Sequence, residues 1–273
     1  GLVDDLRGCI GRAQAPVLID QEGGRVQRLK PPHWRDAPAA AVFKALAGLD
    51  RGFGVEAAHL NAQLIAAELA RVGITVNCAP VLDVLSPGSH EIIGDRAYGD
   101  DPALVSALGL ATAEGFLSQG VLPVIKHIPG HGRAKADSHQ DLPLVDTPAA
   151  DLETVDFPPF RALAHMPWAM TAHVVYGALD GAAPATSSAR VILDTIRGAI
   201  GFDGVLVSDD LSMKALSGTM RGGAAAALAA GCDLVLHCCG DMAEMRDVAQ
   251  GVAPLTDAAA ARLARGDAMR GQT

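Results

Sequence analysis

The sequence predicts an α/β protein built on a parallel β-sheet, and two patterns lead to this prediction. Short apolar runs alternate with longer helical segments along the chain, as in consecutive βαβ units. Polar and charged motifs directly follow several of the apolar runs. Parallel α/β folds bind their ligands at the carboxyl ends of the strands, whether the sheet is a (β/α)8 barrel or an open doubly wound sheet. Both architectures fit these two patterns.

The individual elements follow from the spacing of apolar residues. Strands are predicted near residues 17–20, 74–83, 121–126, 168–174, 204–208 and 233–238. Helices are predicted over residues 2–13, 55–72, 103–118, 152–163, 188–200, 222–231 and from 254 onwards, with a short helix within 31–54. In helix 55–72 we expect one apolar face to be buried, made of Leu60, Leu64, Ile65, Leu69 and Val72. Pro158 and Pro159 are expected to interrupt helix 152–163.

Composition limits the classes of function. The chain has 273 residues, of which 49% are hydrophobic and 19% charged, and its net charge is −9. This charge argues against a nucleic-acid or anionic-membrane surface. Five cysteines at positions 9, 78, 232, 238 and 239 lack the spacing of a disulfide framework, so we expect reduced thiols in a cytoplasmic protein. No apolar run approaches the ~20 residues of a membrane span.

The segment 126–143 concentrates chemically active side chains. It holds three histidines, two lysines and two aspartates in a loop that contains Pro129, Gly130 and Gly132. Three interpretations are open: an exposed polar turn, a metal site made of His127, His131 and His139, or an acid/base pair of Asp137 and His139. In extended chain, residues two apart point to the same side, so the Asp137 carboxylate can hold one nitrogen of His139. The other nitrogen is then left to exchange a proton with a substrate.

Three further positions carry polar groups at or near predicted strand ends. Residues 20–28 follow the first strand and run from Asp20 through Glu22 and two glycines to Arg28, without the Gly-Lys-Ser/Thr of a phosphate loop. Asp209 and Asp210 end the strand near 204–208, and the alternative interpretation is that they only cap a helix. Arg96 lies in the loop 84–102, and the alternative interpretation is a surface arginine in a turn.

Together these segments resemble family-3 glycoside hydrolases, in particular the bacterial β-N-acetylglucosaminidases. Residues 126–139 match the family pattern Lys-His-(Phe/Ile)-Pro-Gly-His-Gly, four variable residues and Asp-(Ser/Thr)-His. Residues 20–28 match Asp-x-Glu-Gly-Gly-x-Val-x-Arg, and Arg96 and Asp209 lie in similar sequence contexts. The resemblance favours the barrel over the doubly wound sheet.

The resemblance implies a mechanism as well as a fold. The expected activity is that of a retaining β-N-acetylglucosaminidase, with Asp209 as nucleophile, His139 as acid/base and Asp137 orienting it. Asp210 is the rival of Asp209. Lys126, His127, Asp20, Arg28 and Arg96 are implied to bind the sugar, and no metal or other cofactor is expected. The implied substrate is a small carbohydrate, a muropeptide with N-acetylglucosamine linked to 1,6-anhydro-N-acetylmuramic acid, in cytoplasmic cell-wall recycling.

One departure from the family pattern concerns the strand count. Six strands are predicted where the barrel has eight, and in the family a strand precedes the one that ends at Asp20. We therefore expect residues 1–273 to be a single catalytic domain that is truncated at its N-terminus, with exposed sheet edges that favour aggregation. Two other functions stay open: a metal-dependent hydrolase that uses His127, His131 and His139, and a sugar-binding relative without catalysis.

Overall fold

A six-stranded parallel sheet forms the centre of the protein, and its strand order follows the chain. The computed structural model describes residues 1–88, 90–135, 142–213 and 218–270. Its strands are β1 (Leu18–Ile19), β2 (Val76–Asn77), β3 (Leu122–Ile128), β4 (Leu144–Val145), β5 (Trp168–Thr171), β6 (Val175–Tyr176), β7 (Gly181–Pro184), β8 (Val205–Asp210) and β9 (Leu234–Leu236). The main sheet has the order β1-β2-β3-β5-β8-β9, and all its pairings are parallel. A doubly wound sheet reverses its strand order at a switch point, so this order excludes that alternative.

The six strands of the main sheet are the six that were predicted from sequence. The short strands β4, β6 and β7 were not predicted, and they form a separate small sheet. The helices are α1 (Leu2–Ile10), α2 (Ala40–Leu49), α3 (Arg51–Arg71), α4 (Pro102–Leu117), α5 (Ala149–Asp151), α6 (Phe157–Ala162), α7 (Gly177–Asp180), α8 (Met220–Ala230), α9 (Met242–Gly251) and α10 (Asp257–Arg270). Wider π-helical turns span Leu152–Asp156 and Val191–Ala199.

The main sheet is curled, with apolar side chains on both faces. Alternate residues of β2, β3, β5 and β8 form one buried cluster, to which β1, β9 and α10 add partly buried side chains. Residues of opposite parity, such as Ile125, Ala169 and Leu206, belong to the cluster beneath the surrounding helices. This alternation follows from the two-residue period of a strand. Since both edge strands reach the same inner cluster, the sheet is curved in the sense that a barrel requires.

The predicted buried face of α3 is wrong in part. Leu60, Leu64 and Val72 are 50%, 54% and 38% exposed, whereas Ala58, Ala62 and Ala66 are buried beside Ile65 and Leu69. The cause is the close approach of α4. A Cβ on Gly115 would lie 2.7 Å from the Cβ of Ala62. Only small residues fit between two helices at this spacing, so the larger leucines face outward.

The predicted interruption by Pro158 and Pro159 is also wrong. Both prolines lie in the first turn of α6, directly after the π-helical turn that ends at Asp156. Proline is tolerated in a first helical turn because the missing N–H group has little to donate to there. The helical path therefore continues from Ala149 to Ala162.

Candidate active site

A polar cavity of about 290 Å³ lies at the carboxyl ends of the strands. Its charged and imidazole lining comes from the ends of β1, β3 and β8 and from the loop between β2 and α4. This lining comprises Asp20, Glu22, Arg25, Arg28, Arg96, Lys126, His127, His131, Asp209 and Asp210. Apolar walls are added by Ile92, Ile93, Met170, Met213 and Leu236. Such a mixture of apolar walls and a few directed polar groups is typical of small-ligand sites.

Most residues predicted from the sequence line this one cavity. Asp20, Arg28, Arg96, Lys126, His127 and Asp209 all contribute to its surface. Asp137 and His139, the predicted acid/base pair, lie outside the described residues. The fold therefore places side chains from four separate segments of the sequence around one cavity.

Glu22, which sequence reasoning did not assign, is central to the charge network. Its carboxylate lies 2.6 Å from Nζ of Lys126 and accepts two hydrogen bonds of 2.9 Å from Arg96. Burial alone would lower the pKa of Lys126, but attraction to Glu22 and Asp20 outweighs it and holds that pKa above its ordinary value. Burial would likewise raise the pKa of Glu22, which Lys126 and Arg96 instead keep below its ordinary value. Lys126, Glu22 and Arg96 are therefore all ionised at neutral pH.

Asp20 connects this buried network to the open side of the cavity. One of its oxygens accepts a hydrogen bond of 3.1 Å from Lys126, and the other accepts one of 3.0 Å from Arg28. Burial opposes ionisation of Asp20, but the two cations hold its pKa well below its usual range. Lys126 is only 3% exposed, whereas the Arg28 side chain is 60% exposed. The Asp20 carboxylate is thus oriented by one buried cation, Lys126, and one exposed cation, Arg28.

Asp83 fixes the backbone and the ring of His127. Its buried carboxylate accepts hydrogen bonds from the backbone N–H groups of His127 (3.2 Å) and His131 (2.7 Å) and lies 2.7 Å from Nδ1 of His127. Burial opposes ionisation, yet the two histidines and the N–H donors lower the Asp83 pKa to about 2. The carboxylate therefore hydrogen-bonds to Nδ1, and Nε2 is the ring nitrogen of His127 that remains for other contacts. Asp83 is therefore a structural hydrogen bonder.

The two adjacent aspartates of β8 have different surroundings. Asp210 accepts hydrogen bonds of 3.0 Å from the N–H groups of Ser212 and Cys238, together with one from the Ser212 hydroxyl. Within the described part of the chain, the Asp209 side chain accepts one hydrogen bond, 2.8 Å from the N–H of Asp210. Burial raises the pKa of Asp209, but the nearby His173, His127 and Lys126 bring it below its ordinary value. Asp210 organises the loop, and Asp209 is the less constrained carboxylate.

His173 is a buried histidine with a hydrogen-bond partner at each ring nitrogen. Its Nε2 lies 3.0 Å from the carbonyl oxygen of Asp210, so this nitrogen carries the proton and donates. Nδ1 lies 2.7 Å from the hydroxyl of Thr186. Burial lowers the pKa of His173. The contact holds the backbone at the end of β8 and hence the direction of Asp209.

Arg25 and Asp156 support the cavity, and neither was predicted. Arg25 donates to the carbonyl oxygens of residues 91, 92 and 93 at 2.7, 2.8 and 3.0 Å, which fixes the loop that carries Arg96. Asp156 is buried and accepts a hydrogen bond of 2.6 Å from Arg133. Burial raises the pKa of Asp156 to about 6 despite this cation. Gly132, which precedes Arg133, has to be glycine because a Cβ there would overlap the carbonyl of Val84.

The fold and the cavity define a parallel α/β protein whose ligand site is rich in groups that hydrogen-bond to hydroxyls. A family model described as the glycosyl hydrolase family 3 N-terminal domain matches residues 9–265. The chain therefore belongs to glycosyl hydrolase family 3. It is 41% identical over 226 residues to a β-hexosaminidase of Alkalilimnicola ehrlichii, an alignment that covers 81% of this chain and 64% of the relative. For a β-hexosaminidase of Chromobacterium violaceum the identity is 42%, with coverage of 81% and 62%.

Solved structures agree with this family assignment. A family 3 β-N-acetylglucosaminidase from a Paenibacillus species superposes with a TM-score of 0.88 at 32% identity, which covers 98% of this chain and 52% of that protein. Native NagZ from Neisseria gonorrhoeae gives a TM-score of 0.83 at 33% identity, with coverage of 94% and 77%. That NagZ has also been solved with N-trifluoroacetyl-D-glucosamine and with a zinc ion. None of the helices in the described ranges is both long and apolar enough to span a membrane.

Proposed function

We propose that this chain is the catalytic domain of a retaining exo-β-N-acetylglucosaminidase. The observation that carries the proposal is the position of Asp209 in the same cavity as the buried network of Asp20, Glu22, Lys126 and Arg96. The similar proteins are named β-hexosaminidases and β-N-acetylglucosaminidases, and one of them binds a glucosamine derivative. The curated relatives are longer, and this chain spans less than two thirds of them.

The charged network supplies the sugar-binding part of the proposed site. Carboxylate oxygens accept hydrogen bonds from sugar hydroxyls, and the Lys126 ammonium and Arg28 guanidinium donate to hydroxyl oxygens. Because these charges are already paired with one another, a neutral sugar replaces water without leaving a buried charge unpaired. His127 adds a ring nitrogen whose direction is set by Asp83. Met170, Met213 and Leu236 offer apolar contact for a sugar face or an acetyl methyl group.

Asp209 is the proposed nucleophile. An oxygen of its carboxylate attacks the anomeric carbon, the bond to the leaving oxygen breaks, and a glycosyl ester forms. Water then attacks the same carbon, the ester bond breaks, and the sugar leaves with its β-configuration kept. One feature favours Asp209 over Asp210: within the described residues its carboxylate accepts fewer hydrogen bonds, so it is the less constrained of the two.

His139 is the proposed acid/base group, oriented by Asp137. It gives a proton to the leaving oxygen in the first step and takes one from water in the second. Most retaining glycosidases use two carboxyl groups for these two roles. A histidine has an unperturbed pKa of about 6.5, so it serves as both acid and base near neutral pH without a large shift. This assignment rests on the sequence motif.

We further propose a TIM-barrel architecture, a muropeptide substrate and a cytoplasmic location for the protein. The curled sheet favours a TIM-barrel domain that spans residues 1–273 as one unit. The proposed substrate is N-acetylglucosamine linked to 1,6-anhydro-N-acetylmuramic acid, in peptidoglycan recycling. All five cysteines are free thiols, which favours the reducing cytoplasm as the location.

Hydrolysis of p-nitrophenyl N-acetyl-β-glucosaminide tests the activity. We expect nitrophenol release by the wild type, no release by Asp209→Ala, and unchanged release by Asp247→Asn, a control on α9 that does not line the cavity. A fluorinated glucosaminide that traps the ester should label a peptide at Asp209, located by mass spectrometry. A label on Asp210, or hydrolysis that inverts the configuration, would contradict the mechanism.

Two other functions are separated by the same assay. A metal-dependent hydrolase that uses His127, His131 and His139 would lose activity in a chelator. The rings of His127 and His131 meet edge to face with centroids 5.6 Å apart, and His139 lies outside the described residues. A sugar-binding relative without catalysis would bind N-acetylglucosamine in calorimetry and release no nitrophenol.

A further inference from the structure

A second group of reactive side chains lies just outside the cavity, at the end of β9. His237, Cys239 and Glu244 bring one imidazole nitrogen, one thiol sulfur and one carboxylate oxygen within 4.8 Å of one another. Nε2 of His237 is 2.8 Å from the Glu244 carboxylate and 3.3 Å from the sulfur of Cys239. The thiol donates to the same Glu244 oxygen over 3.0 Å. In the part of the chain that the structure describes, no other group of three or more such donors is found.

The three side chains lie at the end of β9, in the short connection that follows it, and in the first turn of α9. His237 follows β9 directly, and its side chain is 5% exposed. Glu244 lies in the first turn of α9, which Asp241 caps by accepting from the N–H groups of Ala243 and Glu244 at 2.8 and 3.0 Å. The N–H of Asp241 points at the sulfur of Cys239 over 3.3 Å. An N–H directed at sulfur stabilises a thiolate, the form in which cysteine binds a metal.

The donor set and its spacing fit zinc. Zinc binds thiolate, imidazole and carboxylate at about 2.3, 2.0–2.1 and 2.0–2.2 Å, and tetrahedral geometry then separates the ligand atoms by roughly 3.3–3.6 Å. The observed separations of 2.8, 3.0 and 3.3 Å are slightly shorter, as expected where hydrogen bonds take the place of the ion. Magnesium and calcium prefer oxygen ligands, so a thiol and an imidazole argue against them.

We propose that His237, Cys239 and Glu244 form a zinc site with a fourth position open to water. On binding, the ion replaces the thiol proton of Cys239 and the proton between His237 and Glu244, and the displaced protons go to solvent or to Nδ1 of His237. The site is separate from the sugar-binding residues, and the inference does not depend on the proposed glycosidase activity.

The site lies directly behind one wall of the cavity. Leu236 and Cys238, the neighbours of His237, line the cavity. The N–H of Cys238 donates to Asp210 over 3.0 Å, and the carbonyl of Leu236 accepts from Leu211 over 2.9 Å. A metal that ties residues 237 and 239 to α9 therefore also ties down the wall beside Asp209 and Asp210. We expect zinc to raise the melting temperature of the protein.

Cobalt(II) absorption and zinc titration of the metal-stripped protein test the proposal. A cobalt–thiolate bond gives a charge-transfer band in the near ultraviolet that imidazole and carboxylate ligands do not give. We expect a single high-affinity ion per chain and a band that is lost in Cys239→Ser and kept in Cys9→Ser and Cys238→Ser. Zinc competition with a chromophoric chelator should show at least about a tenfold weaker affinity in Glu244→Gln, the lower end of what loss of even an outer-shell partner costs.

The neighbouring thiol makes the test decisive. A band that persists in Cys239→Ser and disappears in Cys238→Ser would place the metal in the cavity and overturn the proposal. Cobalt binding without a thiolate band, together with a zinc affinity that is unchanged in Cys239→Ser, would overturn it as well, because the cavity histidines would then be the ligands. Circular dichroism and thermal melting of the metal-free variants check that each has folded, so loss of the band reports on the ligand.

Discussion

Two walls of the same cavity are held by different kinds of interaction. In the β1–β3 wall, made of Asp20, Glu22 and Lys126 with Arg96, side chains bind side chains through buried ion pairs. In the β8–β9 wall, made of Asp209, Asp210, Leu236 and Cys238, backbone N–H groups and a buried histidine hold the carboxylates and the chain. A change in the first wall therefore leaves other charges unpaired, whereas a change at Asp209 affects few neighbours. Stability should depend on the first wall and chemistry on the second.

Asp209→Asn should give the largest effect, and on activity alone. We expect glycoside hydrolysis to fall below detection, because the amide has no charge with which to attack the anomeric carbon. The asparagine oxygen still accepts from the N–H of Asp210, so the free energy of unfolding should change by less than about 1 kcal/mol. Chemical denaturation and the p-nitrophenyl assay measure the two quantities on the same sample.

Asp210→Ala is the matched comparison for that variant. It removes the acceptor of Ser212 and of the Cys238 N–H, so we expect a loss of about 2 kcal/mol in unfolding free energy. Equal destabilisation by the two variants would contradict the assignment of Asp209 to chemistry and Asp210 to structure.

Glu22→Gln should give the largest effect on stability. The variant leaves Lys126 and Arg96 buried beside each other with only Asp20 to balance them. Removing one partner of a buried ion pair costs about 3–5 kcal/mol, because the remaining charge stays out of water. Urea denaturation at pH 7 measures the difference.

Asp95→Asn is the control for the buried pair. It breaks the ion pair with Arg25, but both side chains are nearly half exposed, and Arg25 keeps its three carbonyl acceptors. An exposed pair contributes about 0–1 kcal/mol, so this variant should unfold almost like the wild type. If Glu22→Gln and Asp95→Asn differ by less than about 1 kcal/mol, the β1–β3 wall does not depend on its buried charges.

Asp156 sharpens the same comparison, because it is a buried carboxylate with one cation instead of two. Glu22 has a lowered pKa between Lys126 and Arg96, whereas burial beside Arg133 alone raises the pKa of Asp156 to about 6. The unfolded chain releases this proton near pH 3.9. The stability that Asp156 contributes is therefore fully present below about pH 4 and is lost as the pH rises through about 6, by roughly 3 kcal/mol in total.

Asp156→Asn should lack this pH dependence. The unfolding free energy of the variant minus that of the wild type should therefore increase from pH 4 to pH 7. Urea denaturation at several pH values measures this difference, in which the other titrating groups cancel. A difference that stays constant over this range would show that Asp156 ionises at its ordinary pKa.

The sequence predicted the parts of this site that are contiguous in the chain. Asp20, Arg28, Lys126 and His127 lie in motifs whose residue types already indicate polar-ligand chemistry, and the apolar runs before them marked the strands. Glu22 stood inside one of these motifs, but its role depends on Lys126, which lies more than 100 residues later and is brought beside it by the parallel pairing of the strands. Asp83 is 44 residues from His127, and no local pattern connects them.

The wrong prediction for α3 has the same physical origin as the roles of Glu22 and Asp83 that were missed, because each depends on residues that are distant in the sequence. Leu60 and Leu64 had the correct helical spacing for a buried face, but the distance between α3 and α4 is set by Gly115 on the other helix. Periodicity gives the side of a helix that is apolar and says nothing about how closely a neighbour approaches. The three short strands of the small sheet have two to four residues each, too few to show a period.

Arg28→Gln should give the smallest effect on stability and isolates the exposed end of the charged wall. Arg28 and Arg96 each pair with a carboxylate of the β1 loop, but Arg28 is 60% exposed and Arg96 only 11%. Solvent screens the Arg28–Asp20 pair, so the unfolding free energy should change by less than about 1 kcal/mol. Asp20 keeps its bond to Lys126 and remains oriented. We therefore expect KM to rise by about tenfold, as for one lost charge-assisted hydrogen bond, with kcat nearly unchanged. A fall in kcat with constant KM would instead mean that Arg28 acts on the transition state, and that the exposed end of the wall takes part in the chemistry.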